Sequence, residues 1–347
     1  MQALVLTEYR KLELTELERP EVGPEDVLVR VRACGICGSD VHGFDGSTGR
    51  RIPPLVMGHE TAGVVEEIGA SVTRTRPGEH VALDSLLSCG KCELCRNGKT
   101  NMCAVRRVLG VSCNEFRQQG AFAEFVVVPQ NAIFPIPPDM PFEHAALVEP
   151  VSVALHAVGR LQIDLGDSAV VVGAGMIGLF VVQALKIAGC DQVIAVDLDD
   201  DRLALAKKLG ATATVNSAQA DPVEAVLALT AGRGADVSLE VVGAAKPLAV
   251  AINSVRRGGQ ICLVGNLSPE VPLPLQTVVT RELSLVGTMA SAGEYPRAIE
   301  LIASGALRVE PFISAIAPLA AGPEWFDRLY ARERGLLKVV LRPTAAD

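Results

Sequence analysis

Val170-Val171-Val172-Gly173-Ala174-Gly175-Met176-Ile177-Gly178 joins a wholly apolar run to a run with helical spacing through three glycines. A G-x-G-x-x-G string alone is a weak signal. Between a strand and a helix, each glycine has its own role. Gly173 makes the tight turn, Gly175 lets backbone approach a pyrophosphate, and Gly178 lets the helix lie against the strand. The helix start, with Met176 and Ile177 in its first turn, offers unpaired N–H groups and partial positive charge to phosphates. Downstream, Gln192–Asp197 reads as a second strand, and Asp197 ends it at roughly the 20-residue offset of a ribose-binding carboxylate. Asp199, Asp200 and Asp201 follow, with Arg202 as the nearby cation. A 2′-phosphate there would meet like charge, so the stretch favours NAD over NADP.

Outward from this unit, strands and helices alternate. Ser168–Gly173, Gln192–Asp197, Asp236–Val242, Gly259–Gly265 and Ser284–Gly287 read as strands. Met176–Ala188, Asp201–Leu209 and Asp221–Leu229 read as helices. Continuous apolar strands between helices predict an α/β, doubly wound parallel sheet covered on both faces. On the N-terminal side the period changes. Val27–Arg32, Thr61–Val65, Val81–Leu83 and Ala123–Val128 are short β runs broken by Gly23-Pro24, Pro77-Gly78 and Pro137-Pro138, and predict a β-rich domain. Phe142–Glu149 and Val151–Gly159 read as helices leading into the sheet domain. After Tyr295 come a helix over 296–303 and mixed, β-like runs ending in Lys338–Leu341, with a loose tail over 342–347.

The chain has 347 residues, which suits two cores rather than one. A net charge of −8 argues against nucleic acid or an acidic membrane surface as partner. The first residues lack the basic start and cleavage site of a secretory signal, and no apolar run approaches the roughly 20 residues of a membrane span. A cytoplasmic location is expected. Nine cysteines is an odd number, and six of them fall between positions 34 and 103. That favours metal ligation over disulfides. Cys113, Cys190 and Cys262 stand alone, the last two in apolar runs that suit core thiols.

Cys89, Cys92, Cys95 and Cys103 have C-x2-C-x2-C-x7-C spacing. Four thiolates at about 2.3 Å fill a tetrahedral Zn²⁺ and leave no open position, so this zinc is structural. A second set is different in kind. Cys37, His59, Glu60 and Glu149 are N, O and S donors suited to a catalytic zinc with one position left open. One thiolate and one carboxylate cancel the ion's charge; two carboxylates bound together would make the site negative. One of Glu60 and Glu149 is therefore expected to ligate directly, the other in turn or behind it.

With Cys37-Gly-Ser-Asp-Val-His42, Gly58-His59-Glu60, the four-cysteine lobe, Glu149-Pro150 and the glycine fingerprint with Asp197 in view, the chain resembles the zinc-dependent medium-chain dehydrogenase/reductase family, near its sorbitol (polyol) and threonine dehydrogenase branch. The resemblance implies a GroES-like catalytic domain over 1–153 with a structural-zinc lobe at about 86–113. It implies a Rossmann NAD domain over 154–290 and a return to the catalytic domain over 291–347, with a cleft between the two. It implies Cys37 and His59 as ligands of the catalytic zinc and Glu60 as an adjacent carboxylate. Glu149 stands where alcohol dehydrogenases carry a second cysteine. Cys34 matches no ligand position and reads as a buried thiol. Gly43 stands where some sorbitol dehydrogenases have an aromatic residue.

The expected chemistry is oxidation of a secondary alcohol, a polyol first, with hydride passing to NAD. Ser39 would take the proton and pass it through the cofactor ribose to His42, whose imidazole titrates in a useful range. A 3-hydroxy amino acid such as L-threonine, or a sugar-alcohol phosphate gripped by Arg50-Arg51, are the alternatives within the enzyme class. A chain that senses NAD without catalysis is the alternative outside it. His80, His144 and His156 read as structural, and Trp325 and Phe326 as packing residues. A homodimer or homotetramer is expected, pairing through a Rossmann sheet edge within 259–286.

Overall fold

A computed structural model describes residues 1–113 and 116–343, leaving aside the side chains of Cys113 and Phe116. The expectation for Cys113 and that for residues 344–347 of the tail lie outside the described residues. The chain divides into two compact units, one of Met1–Glu149, Tyr295–Gly305 and Val309–Asp347, the other of Pro150–Glu294 with Ala306–Arg308.

In the second unit Ser168–Val172 is buried at all five positions. A strand buried on both faces has to be apolar throughout, which is why its period-2 signal is missing. It lies between Gln192–Asp197 and Ala235–Glu240, parallel to both. Numbered along the chain, the six parallel strands run 3-2-1-4-5-6. The order reverses beside Ser168–Val172, and in such sheets ligands bind outside the carboxyl ends of the strands at that point. This is the Rossmann arrangement.

Two helices of this unit start at aspartates for a local reason. Asp199 accepts N–H bonds from Asp201 and Arg202 to cap Asp200–Lys208, and Asp221 caps Pro222–Leu229 with proline at the first turn. The acidic run at 199–201 is thus largely a helix cap. Three elements here escape the sequence pattern, the short helix Leu275–Thr280 among them. Ala213–Asn216 is the outer strand of the sheet, with too few apolar residues to signal itself. Ala245–Ser254 is a helix against the core, with Leu248, Ala251 and Ile252 buried, but its alanines weaken the apolar contrast.

The first unit is the β-rich one. Its seven-stranded sheet pairs Asp26–Gly35 with Glu60–Ile68 and, from the far end of the chain, with Lys338–Arg342. That long-range pairing places Lys338 behind residues 34–36. Arg342 closes this strand and is ion-paired to Glu143, so the expected loose tail does not begin at 342. The stretch before it, read as β-like, holds the helix Gly322–Tyr330. Phe326 on that helix is fully buried between Phe44 and Phe122, and Trp325 packs on the same core.

Candidate metal centre and nucleotide site

Cys37 ends the turn after Asp26–Gly35 and caps the short helix Gly38–Gly43: its sulfur accepts the Ser39 N–H at 3.4 Å, while Asp40 accepts the Cys37 N–H at 3.3 Å. His59 stands just before the neighbouring strand Glu60–Ile68, which Glu60 opens. One donor atom from each of Cys37, His59 and Glu60 lies within 4.8 Å of the others. Glu149 is not in that group. It heads the helix Val148–Gly159, and its Oε1 accepts from Ser85 Oγ at 3.1 Å.

The charges behind the group are individually compensated. Lys338, 1% exposed, donates to both oxygens of Glu60 at 2.8 and 2.6 Å and to the Ile36 carbonyl at 2.7 Å. Its ammonium therefore has no donor left over. Asp40, 0% exposed, accepts from Arg51 Nε at 3.1 Å and Nη2 at 2.8 Å. Among the described residues Glu149 has no such cation in hydrogen-bond contact. Burial pushes its carboxyl up to about 7; His59, Ser85 and Lys338 pull it down while Glu60 pushes it further up.

Burial works against a charged His59, yet Asp40 and Cys37 outweigh it and hold the imidazole well above its ordinary range. The surroundings that hold a proton there would equally hold a metal cation. His59 Nδ1, buried, has no hydrogen-bond partner among the described residues, although Asp40 Oδ1 is 3.4 Å away. A thiol sulfur, an imidazole and a carboxylate in reach of each other fit a Zn²⁺. The contact from Asp40 is the kind of outer partner that orients a ligating histidine.

The four cysteines Cys89, Cys92, Cys95 and Cys103 form a second group by the same distance measure, and all four are free thiols. Backbone N–H groups of Lys91 and Cys92 pull Cys89 down to about 6, whereas burial pushes Cys95 up to about 11. Four converging sulfurs without a bond between them fit a closed zinc site.

At the sheet's reversal point Gly173 has φ +103°, and Gly178 packs so tightly that a Cβ would stand 1.9 Å from the Gly173 carbonyl. A Cβ on Gly175 would meet no protein atom within 4 Å, so that face is open. No side chain caps the helix Met176–Ile187, which leaves first-turn N–H groups at Met176, Ile177 and Gly178 for an anion. Asp197 accepts from Ala174 N at 2.6 Å and from Leu198 and Asp199 N at 2.8 and 3.0 Å. Its carboxylate is thereby held beside the glycine turn. Arg202 is exposed in the first turn of the next helix.

Ser39 and His42 are both exposed on the helix Gly38–Gly43, three residues apart and so on one face. Arg51, expected with Arg50 as a grip for a substrate phosphate, is instead 3% exposed and paired to Asp40; of the two, Arg50 faces solvent. His80 begins a strand rather than a turn and packs on Phe142 at 4.7 Å. His156 pairs with Glu294 at 2.7 Å, and His144 lies in a short helix. Cys34, Cys190 and Cys262 are buried, Cys34 against Thr61 at 3.2 Å.

Three supporting residues escaped sequence reading, Asp40, Lys338 and Tyr295, and a fourth, Arg51, was read for a different role. Tyr295, fully buried, donates to the Leu83 carbonyl at 3.0 Å and accepts from Ser85 N at 3.4 Å, fixing the segment that holds Glu149. Asp40 carried a signal, an acid three residues after a candidate ligand on one helix. Lys338 carried none, being 278 positions from its partner.

Residues 177–304 match the family described as zinc-binding dehydrogenase, and residues 23–138 match the alcohol dehydrogenase GroES-like domain. The sorbitol dehydrogenase of Bacillus subtilis (strain 168) is 34% identical over 99% of this chain and 97% of its own length. The chain belongs to the zinc-binding medium-chain dehydrogenases. The L-threonine 3-dehydrogenase of Bacillus subtilis (strain 168) is 35% identical over 95% of this chain and 94% of its own. A zinc-binding dehydrogenase of Sinorhizobium meliloti 1021, solved bound to NADP, superposes with a TM-score of 0.90 at 32% identity over 99% of each chain. This medium-chain dehydrogenase is a zinc-dependent oxidoreductase acting on CH–OH with NAD(P). Catalysis, rather than nucleotide sensing alone, is therefore its activity. Among the described residues no helix is long and apolar enough to cross a membrane.

Proposed function

We propose that this dehydrogenase oxidises a secondary alcohol carrying a neighbouring hydroxyl, a polyol, to the ketone with NAD as hydride acceptor. The observation that carries the proposal is the Cys37–His59–Glu60 group, in which Glu60 and the nearby Asp40 each have a buried cation of their own. A zinc ion there supplies Lewis-acid polarisation of the substrate hydroxyl. Cys37 and His59 would hold it. Glu60, already gripped by Lys338, is the near carboxylate; Glu149 stands behind, close enough to feel Glu60's charge. Ser39 would take the hydroxyl proton at its Oγ and give up its own toward His42, which is exposed on the same short helix and would release it to water.

Gly173–Gly178 would hold the pyrophosphate of the dinucleotide and Asp197 its ribose. The NAD preference is argued from the carboxylates at 197 and 199–201, against the NADP carried by the Sinorhizobium meliloti relative. A phosphorylated substrate loses its proposed grip, because Arg51 is consumed by Asp40. The threonine-type reading keeps the support of its own relative. Cytoplasmic location and a homodimer or homotetramer belong to this proposal. The edge strand Ser284–Gly287 and exposed Leu273, Leu275 and Val279 favour pairing at that side of the sheet.

The test is a screen of the zinc-loaded protein against sorbitol, galactitol, L-threonine and a sugar-alcohol phosphate, with NAD and with NADP, beside Cys37→Ser. Turnover of a polyol with NAD is expected. Cys37→Ser should abolish turnover, lower the zinc content from two to about one per chain, and leave NADH binding nearly intact. Turnover confined to L-threonine, or retained by Cys37→Ser, would overturn the reading.

A further inference from the structure

Arg51 is a buried cation that the mechanism above does not use. Its guanidinium reaches two neighbouring residues of the helix Gly38–Gly43 at once. Nη2 donates to Ser39 Oγ at 3.1 Å and to Asp40 Oδ1 at 2.8 Å, and Nε donates to the same Asp40 oxygen at 3.1 Å. Asp40 Oδ1 in turn stands 3.4 Å from His59 Nδ1. One side chain thus touches the proton-accepting serine and the carboxylate behind a metal-ligand histidine.

Its seat is made by a missing side chain. A Cβ on Gly43 would lie 2.4 Å from Arg51 Cγ, 3.2 Å from its Cβ and 3.3 Å from Thr48 Oγ1. Gly43 is helical, with no positive φ that demands glycine. What a side chain there would cost is therefore room, and the room is filled by the arginine stem. The departure at Gly43 seen in the sequence has its physical counterpart here.

We infer that Arg51, seated in the gap at Gly43, is a positioning residue for proton transfer. It occupies a lone pair of Ser39 Oγ, and so leaves the serine hydroxyl hydrogen and its second lone pair to face substrate and ribose. The same guanidinium holds Asp40 beneath His59. A guanidinium can bridge two acceptors in a fixed plane, whereas a lysine ammonium reaches them as a point charge. The inference rests on Ser39 being the proton relay.

The experiment uses zinc-loaded Arg51→Gln, Arg51→Lys, Gly43→Ala and Ser39→Ala. It measures kcat and KM for the alcohol, NADH affinity by fluorescence, zinc content, and the H2O/D2O ratio of kcat. Arg51→Gln should lower kcat by about 10- to 100-fold, the usual effect of losing an outer partner. It should leave NADH affinity within about twofold and zinc at two per chain, and raise the solvent isotope effect as proton transfer becomes limiting. Arg51→Lys should recover part of the rate. Gly43→Ala, which displaces Arg51 without removing it, should show the same isotope signature, and adding it to Arg51→Gln should cost little more. The inference is overturned if Arg51→Gln keeps wild-type kcat while Ser39→Ala loses it, or if its rate falls only in proportion to lost zinc. A Ser39→Ala enzyme with full kcat would instead sink the relay reading on which it rests. Should Arg51→Gln fail to fold, Gly43→Ala decides by the same signature.

Discussion

Lys338→Met removes the cation from a pair that water scarcely reaches. Lys338 and Glu60 are 1% and 0% exposed, and their closest approach is 2.6 Å. At an effective dielectric of 20 that separation is worth about 6 kcal/mol of attraction before desolvation is charged against it. Removing one partner leaves Glu60 buried without the ammonium that holds both its oxygens, and the expected loss is about 3–5 kcal/mol. Replacing both, as Glu60→Gln with Lys338→Met, takes two charges out of the interior together, so most of that loss should be recovered. Trp325 is the only tryptophan and packs on the core of the unit that holds the pair. Urea unfolding of zinc-loaded protein followed by its fluorescence therefore reads that unit. A Lys338→Met loss below about 1 kcal/mol, the scale of an exposed pair, would refute the reasoning. So would a double variant as unstable as the sum of the singles.

Asp236, 7% exposed at its side chain, accepts from Ser168 N and Oγ and pairs with Arg233 and Arg256. Burial alone would raise its carboxyl, but these partners hold it well below the usual range. A depressed folded pKa gives stability that is present above the unfolded value of about 3.9 and is lost as pH falls through the folded one. Asp236→Asn should thus cost about 1–3 kcal/mol at pH 7 and progressively less in acid; a deficit independent of pH, followed by unfolding from pH 7 to 3, would contradict this. Gly178→Ala would place a methyl 1.9 Å from the Gly173 carbonyl and force helix and turn apart. NADH affinity should fall at least tenfold by fluorescence titration, and unchanged affinity would mean that the glycine turn does not carry the pyrophosphate.

Much of this protein could be read before any coordinates. A run such as Ser168–Val172, apolar at every position, can only be a strand covered on both faces, and three glycines after it can only serve close backbone approach. Four cysteines within fifteen residues are brought together by chain connectivity alone, because a short loop cannot carry them far apart. Chain connectivity likewise keeps Cys37, Ser39 and His42 within six residues of one another. What the folded chain decided was charge. Glu60 and Glu149 are chemically alike in sequence, yet one is neutralised by a lysine 278 positions away and the other faces a serine hydroxyl. Arg50 and Arg51 are adjacent, yet one is solvated and the other is buried on Asp40 in the space left at Gly43. Neighbours along a chain determine conformation through short-range sterics and hydrogen bonds. The ionisation of a buried group depends on whatever strand packs behind it, and that strand can come from anywhere in the chain.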